Sequence, residues 1–402
     1  MGSKKYIGSR GSKPSSSGLP KVSGLRLQQE NMPHLPQEII NSEILPRLPV
    51  KSLLRFRCVN KLWNSTIVDP RFNRHNARSM AVFMSADLRA YLPSLKLPWL
   101  QSIEKLPGLK FTDEEGSIQR FPLVKLVRDN KGFIGGSCNG LLLVILGSSF
   151  YLWNPSTAYF CHVLELDYLD GLASVSITGL CYDSSSEDYK VVVKLKLPVK
   201  NFGKSVLVAA LKDKRWKGLK FPHSGWGRGR AVLCNGILHW EWDVYRPDMV
   251  NSKRIIGFDP KTDQIVEVPL PQCKNREDSV ILGLGIIECY LCTVQWDNPS
   301  YFKGNFQLMV MKEYGVKESW TPMFEIVREF PALLISSRMI PLMLNKNGEL
   351  LMIINYQRIV SYNPRTAEYK SILPSTQFVA YSADVFVESL ISPAGYDWKK
   401  TL

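Results

Sequence analysis

Two textures of apolar patterning divide the chain. Between Leu35 and Val68, fifteen large apolar side chains crowd a short segment: Leu35, Ile39, Ile40, Ile44, Leu45, Leu48, Val50, Leu53, Leu54, Phe56, Val59, Leu62, Trp63, Ile67 and Val68. Helix punctuation accompanies them. Pro36 suits a first helical position, and Glu38 falls in the first turn, where it complements the helix dipole. Pro46 and Pro49 interrupt the run, so a second helix is expected from near Val50. A third is predicted from about Asn60 to Val68, stopped by Asp69-Pro70. A module of roughly 40 residues is near the lower limit for a self-sufficient core. Part of this apolar surface therefore belongs either to a larger core or to a partner.

Past about residue 80 the pattern changes to short strands between turns, among them LLLVI at 141–145, YKVVV at 189–193, SVLVA at 205–209 and QLMVM at 307–311. No long stretch of helical period interrupts them, which points to a sandwich, barrel or propeller. A weak repeat favours the propeller. WNPST at 153–157, FDPKT at 258–262 and YNPRT at 362–366 share a polar-Pro turn, and degenerate copies lie at Asp213 and Lys312. Counted from residues 154, 213, 259, 312 and 363, the spacings are 59, 46, 53 and 51. Asn139-Gly140, Asn235-Gly236 and Asn347-Gly348 supply hairpin signals upstream of three copies. A strand-built period near 50 fits a kelch-like blade of four strands, and the length leaves room for six or seven blades. The alternative is an irregular pair of β-sandwiches.

Charge sharpens the division. The net charge is +15, but residues 1–30 and 31–80 carry +5 each, leaving +5 for all the rest. The large C-terminal part is nearly balanced, which argues against a broad nucleic-acid surface there. Residues 1–30, rich in Ser, Gly, Lys and Pro, read as a disordered basic tail. The first residues lack the apolar core of a secretory signal, and no apolar run is long enough to span a membrane. The eight cysteines include Cys138, Cys181, Cys234 and Cys289 in apolar strand-like runs. That usage suits free thiols in a reducing, intracellular compartment.

The N-terminal run LPQEIINSEILPRLPVKSLLRFRCVNKLW, together with GSCNGLLLV, LWNPST, GLCYDSSSEDYKVV, NGILHW, IIGFDPKTDQIVEVPLP, VMKEYGVKESWTPM, YNPRT and VESLISP, resembles the plant F-box proteins with a C-terminal F-box-associated, kelch-type domain. The resemblance spans roughly residues 34–395 and departs at Asn60, Leu62 and Asn64, where members usually have Cys, Ser and Arg. It implies an F-box at 31–78, a propeller at 79–395 and a short tail at 396–402. It also implies a non-catalytic target receptor of a Skp/cullin/F-box ubiquitin ligase, resident in the nucleus or cytoplasm. Its partners would be a Skp-type adaptor, through it cullin and RING subunits, and an unknown target protein. Carried over by position, Leu35, Pro36, Ile39, Ile44, Leu45, Leu48, Leu53, Leu54, Val59 and Trp63 match the apolar positions that form or support the adaptor interface. Lys51, Arg55, Arg57 and Lys61 lie beside them and would speed encounter with an acidic adaptor.

Other chemistry is thin. Cys289-x-x-Cys292 has metal-ligand spacing but no second pair, and a structural zinc site takes four ligands. His34, His75, His162, His223 and His239 are scattered, and His239 alternates within the strand-like GILHW. No phosphate loop, nucleophile elbow or HExxH motif is present, so no cofactor is expected. Gly225-Trp226-Gly227-Arg228-Gly229-Arg230 reads as a loop, and Trp296 to Lys303 as an aromatic insertion between strands. Trp226, Arg228, Arg230, Trp296 and Tyr301 are the candidate target contacts, since aromatic and Arg side chains anchor interfaces. A propeller enzyme would require a metal constellation. An adaptor-independent scaffold or nucleic-acid binder would rest on the basic N-terminal part and show a steep salt dependence.

Overall fold

Strands that are apolar on both faces must be covered on both, and the computed structural model shows how. It describes residues 35–48, 50–68, 72, 79–87, 109–112, 118–121, 132–166, 174–196, 206–220, 225–244, 252–271, 280–296, 306–327, 338–373 and 379–397. The first three strands, β1–β3, are Ser79–Asp87, Leu109–Thr112 and Ile118–Phe121. Blade 2 holds β4–β7 (Gly132–Cys138, Leu141–Leu146, Ser149–Asn154, Tyr159–Glu165) and blade 3 holds β8–β11 (Ser174–Asp183, Asp188–Lys196, Val206–Ala210, Trp216–Gly218). Blade 4 holds β12–β15 (Gly225–Cys234, Ile237–Val244, Ser252–Asp259, Gln264–Val268) and blade 5 holds β16–β19 (Val280–Ile287, Tyr290–Trp296, Phe306–Met311, Trp320–Ile326). Blade 6 holds β20–β23 (Met339–Leu344, Leu350–Ile354, Arg358–Asn363, Glu368–Leu373). The last strand, β24 (Val379–Val387), returns to pair with β1 over nine residues and completes blade 1 in the order β24-β1-β2-β3. The result, among the described residues, is a six-bladed propeller closed by its two chain ends. Inner strands β8 and β12 also form a short parallel bridge, Gly229 opposite Ile177 and Arg230 opposite Thr178, which joins blades 3 and 4 into one sheet.

One apolar layer fills each interface between blades. In β5 (LLLVIL), Leu141, Leu143 and Ile145 face blade 3, packing with Leu180, Val191 and Val193. Leu142, Val144 and Leu146 face blade 1, packing with Phe386 of β24. The period-2 alternation of the strand is intact, but both sides are buried, so the sequence reads as a continuous apolar run. Trp240, Trp242 and Phe258 of blade 4 meet Val192, Val206 and Val208 of blade 3 in the same manner.

The repeat seen in the sequence is turn chemistry. Asn154, Asp259 and Asn363 end the third strand of blades 2, 4 and 6. Each side-chain oxygen accepts the N–H two residues on, from Ser156, Lys261 and Arg365, at 2.8, 2.9 and 2.9 Å. Each turn is completed by a residue with positive φ: Ala158, Asp263 and Ala367. Asn139-Gly140 and Asn235-Gly236 both have positive φ at each position, as a two-residue hairpin requires. The third pair differs: Asn345 rather than Asn347 organises that hairpin, its side chain accepting from the N–H groups of Asn347 and Glu349, and only Gly348 has positive φ.

Buried polar groups tie blades together. Lys190 of β9 is paired with Asp183 of its own blade at 3.1 Å and with Asp263 of blade 4 at 2.7 Å. Burial would raise the Asp183 carboxyl, but hydrogen bonds from Ser185, Ser186 and Lys190 hold it well below the usual carboxylate range. His239 is fully buried; its Nδ1 lies 3.2 Å from the Val232 carbonyl and its Nε2 2.7 Å from the Tyr314 hydroxyl. A neutral ring donating at Nδ1 and accepting at Nε2 satisfies both contacts. Burial lowers its pKa from 6.5 to about 4. Above pH 6.5 the ring is neutral in both folded and unfolded chains. As pH falls from 6.5 to 4 only the unfolded chain takes up the proton, so stability falls through that window by on the order of 3 kcal/mol. Urea titrations at pH 7 and pH 4 are expected to show this loss, and His239→Gln is expected to flatten it.

The helical module begins with Gln37–Ile39 (α1), which runs on through a wide π-type turn, Ile40–Ile44, and a tight 3-10 turn, Leu45–Arg47. Pro46 has no N–H to give to the preceding turn, so regular α geometry cannot continue through it. Two further helices follow, Val50–Phe56 (α2) and Lys61–Val68 (α3). Asn60 caps α3, its side-chain oxygen accepting the Trp63 N–H at 2.9 Å. Its neighbour in the departing trio, Asn64, accepts from the Arg57 guanidinium at 3.1 Å.

Candidate functional site

The structure sorts the module's apolar residues into two sets. Leu45, Val50, Leu53 and Ile67 are buried, and Leu45, Leu53 and Ile67 form a small core with Ile40, Leu48, Phe56 and Trp63 packed around it. The Phe56 and Trp63 rings meet at 5.4 Å. Leu35, Ile39, Ile44, Val59 and Leu62 are instead 58%, 42%, 36%, 59% and 50% exposed. Among the described residues, the sole other large apolar side chain this exposed is Val327. Of the ten positions expected at an adaptor face, Leu35, Pro36, Ile39, Ile44 and Val59 are therefore exposed, while Leu45 and Leu53 hold the helices together. Leu48, Leu54 and Trp63 are half-buried between the two sets. Leu62, at a position where the sequence departs from its resemblance, joins the exposed set. Arg47, Arg55, Arg57 and Lys61 are exposed around it.

The propeller's two mouths differ. At one lie the short turns, Asn139-Gly140 and Asn235-Gly236 among them. At the other, the β5–β6 and β21–β22 turns are tight, at Gly147 and at Asn355-Tyr356, while the remaining strand ends lead into connections outside the described residues, including 167–173, 197–205, 221–224, 297–305 and 328–337. β24 ends at the short-turn mouth, and the segment after it carries Leu390 into the core of the helical module. The module and the strand ends that open these connections therefore stand at opposite ends of the propeller axis.

The expected target contacts fare unevenly. Gly225–Arg230 is not a loop but the first half of β12, with a register shift between Arg228 and Val232. Close packing makes it so: a Cβ at Gly225 would lie 2.2 Å from the Asp243 carbonyl oxygen of the paired strand. Trp226 and Arg228 sit on this strand at the long-connection mouth, with side chains outside the description, as Tyr301 is altogether. Arg230 turns into the channel and pairs with Asp384 of β24 at 2.7 Å. Blades 4 and 1 are opposite one another in the ring of six, so the pair bridges the central cavity, whose volume is about 1280 Å³. Burial raises the Asp384 pKa, and the opposing guanidinium works against that rise. Trp296 is a correction: it ends β17 at 1% exposure, edge-on to Phe306 at 5.9 Å, and holds the layer between blades 5 and 6. A target cannot reach it. Trp296→Ala is expected to cost about 3–5 kcal/mol of propeller stability, as buried aromatic truncations do, measured by urea denaturation.

Cys138, Cys181 and Cys234 are buried free thiols, as expected, and burial pushes the Cys138 pKa to about 12. Cys289, expected in a buried strand, is exposed on the β16–β17 turn with positive φ, whereas Cys292 is buried between blades 5 and 6. Among the described residues no three His, Cys, Asp or Glu side chains are gathered for a metal ion, and no helix is long and apolar enough to cross a membrane.

Comparison with known proteins matches residues 32–75 to the F-box domain and residues 81–342 to the F-box associated beta propeller domain. The F-box protein CPR1 of Arabidopsis thaliana is 27% identical over 90% of this chain and 89% of its own. An F-box/kelch-repeat protein of the same plant is 28% identical over 90% of this chain and 96% of its own. Among solved structures, TolB from Acinetobacter baumannii superposes with a TM-score of 0.44 at 8% identity, covering 77% of this chain and 66% of that one.

Proposed function

The chain belongs to the F-box proteins that carry an F-box-associated β-propeller, and from that membership we propose that it is the target-recognition subunit of a Skp/cullin/F-box ubiquitin ligase. The observation that carries this reading is the exposed apolar set Leu35, Ile39, Ile44, Val59 and Leu62. The module already has a core, and the propeller fills its own layers, so this surface is surplus to folding and suits a docked adaptor. The basic side chains around it favour encounter with an acidic partner and act mainly on the association rate.

The propeller takes the target at the long-connection mouth, away from the F-box, with Trp226, Arg228 and Tyr301 as contacts there. Arg230 and Trp296 drop out, one paired across the channel and the other in the core. The subunit does no covalent chemistry itself. It accelerates ubiquitin transfer by holding target lysines at high effective concentration near the donor, inside the cell, in nucleus or cytoplasm.

The test is a pull-down under proteasome inhibition, comparing the full chain with one lacking residues 31–78. A receptor recovers the same targets with both, and loses adaptor, cullin and target ubiquitination with the deletion. Equal target ubiquitination by the two would overturn the reading.

A further inference from the structure

The segment that follows β24 belongs to two bodies at once. Residues 388–397 leave the inner strand of blade 1 and cross the short-turn mouth toward blade 2. Leu390 packs against the F-box core of Leu45, Leu53 and Ile67. Its two neighbours are held by the propeller. The Asn154 amide Nδ2 donates to the Ser389 carbonyl at 3.0 Å and to the Ile391 carbonyl at 2.7 Å. Ser389 is buried against Gly140, where an added Cβ would lie 2.2 Å from its Oγ. Farther on, the Cys161 thiol donates to the Pro393 carbonyl at 3.3 Å, and Tyr396, expected to begin a free tail, packs edge-on against Tyr189 at 5.6 Å.

We propose that this strap is a positioning element: Asn154 and Leu390 together fix the orientation of the F-box on the propeller, and so the reach between a bound target and the ubiquitin donor. The second half of that statement rests on the proposed ligase role; the first does not. The geometry is a clamp with one residue in each jaw. The backbone on both sides of Leu390 is tied to blade 2 by a single buried amide, so the Leu390 side chain cannot shift relative to the propeller without breaking two hydrogen bonds. Without such a tie, relative motion is the default for two domains joined by a small interface.

Asn154→Asp opens the clamp. Asp259 shows that a carboxylate supports the same turn in blade 4 at a partly exposed position. At the fully buried Asn154 it also sets a charge against two carbonyls, so the strap is expelled from blade 2, and Leu390→Ala is the variant that adds no buried charge. Leu390→Ala removes the other jaw. Among the described cysteines, Cys58 on the F-box and Cys289 on the propeller are the exposed ones. With Cys273, which lies outside the described residues, replaced by Ser in the full chain, spin labels on these two report inter-domain distance. A single narrow distance distribution is expected for the parent. Each variant is expected to broaden it about twofold, the behaviour of domains released from a fixing contact, with the thermal melt of the propeller retained. A distribution that stays narrow and centred in both variants would overturn the proposal. Titration of the same proteins with a purified Skp-type adaptor separates the two claims. Unchanged affinity with broadened distances supports the positioning role. A parent that binds no adaptor yet shows the clamp-dependent distances sinks the ligase reading and leaves the clamp standing.

Discussion

Deleting residues 379–402 is expected to abolish the cooperative melt of the propeller, although the deleted strand is one of the twenty-four described. β24 is the inner strand of blade 1, paired with β1 along its whole length. Removing it strips Phe386 from the layer against blade 2 and Ala383 from the layer against blade 6. It also leaves β1 with an unpaired edge, an open template for aggregation. Arg230 loses its carboxylate and keeps the Ala231 carbonyl, at 3.3 Å on the wall of the central cavity. Asp384→Asn isolates this last effect and is expected to cost about 1–3 kcal/mol, less than for a fully buried pair because Arg230 lines the cavity. Calorimetry on the three proteins decides it. A truncated chain that melts like the parent would mean that the ring does not depend on its closing strand.

The second large effect concerns the F-box surface. Ile39→Asp combined with Val59→Asp is expected to weaken adaptor binding by about a thousandfold, two anchors at roughly 2 kcal/mol each. The melt should not change, because both side chains are solvent-facing. Leu53→Asp is the informative contrast. Leu53 is 2% exposed inside the small core shared by α2, α3 and Leu390. A charge there unfolds the module, so lost binding in that variant reports collapse rather than contact. Isothermal titration with purified adaptor, beside circular dichroism of each variant, separates the two mechanisms.

Much of this architecture is legible in the sequence. The five marker residues fall at or shortly after the ends of β6, β10, β14, β18 and β22, the third strand of five successive blades, and at three of them, Asn154, Asp259 and Asn363, the turn is dictated locally by an Asx side chain and a positive φ. Local chemistry is what sequence carries best. Blade 1 left no marker, since its strands come from opposite ends of the chain and its closure is a long-range pairing. Trp296 and the Gly225–Arg230 run failed for a related reason. An aromatic beside Asp-Asn-Pro looks like a loop anchor, and alternating glycines look like a flexible link, until the partner strand is known. Burial from both sides then decides. The ten apolar F-box positions were identified by resemblance, but three short helices in 30 residues give no strict period from which to divide core from surface. Leu390, which completes that core, lies more than 300 residues away and carries no local signal.

The central claim is that this F-box docks an adaptor through a surface its own fold leaves bare. Isothermal titration of the purified full chain with a purified Skp-type adaptor tests it most directly. The account predicts a saturable one-to-one complex with a negative heat-capacity change, the mark of buried apolar area. The complex should be lost in the Ile39→Asp, Val59→Asp variant while that variant stays folded. Absence of binding by the parent chain, or undiminished binding by the folded variant, would contradict it.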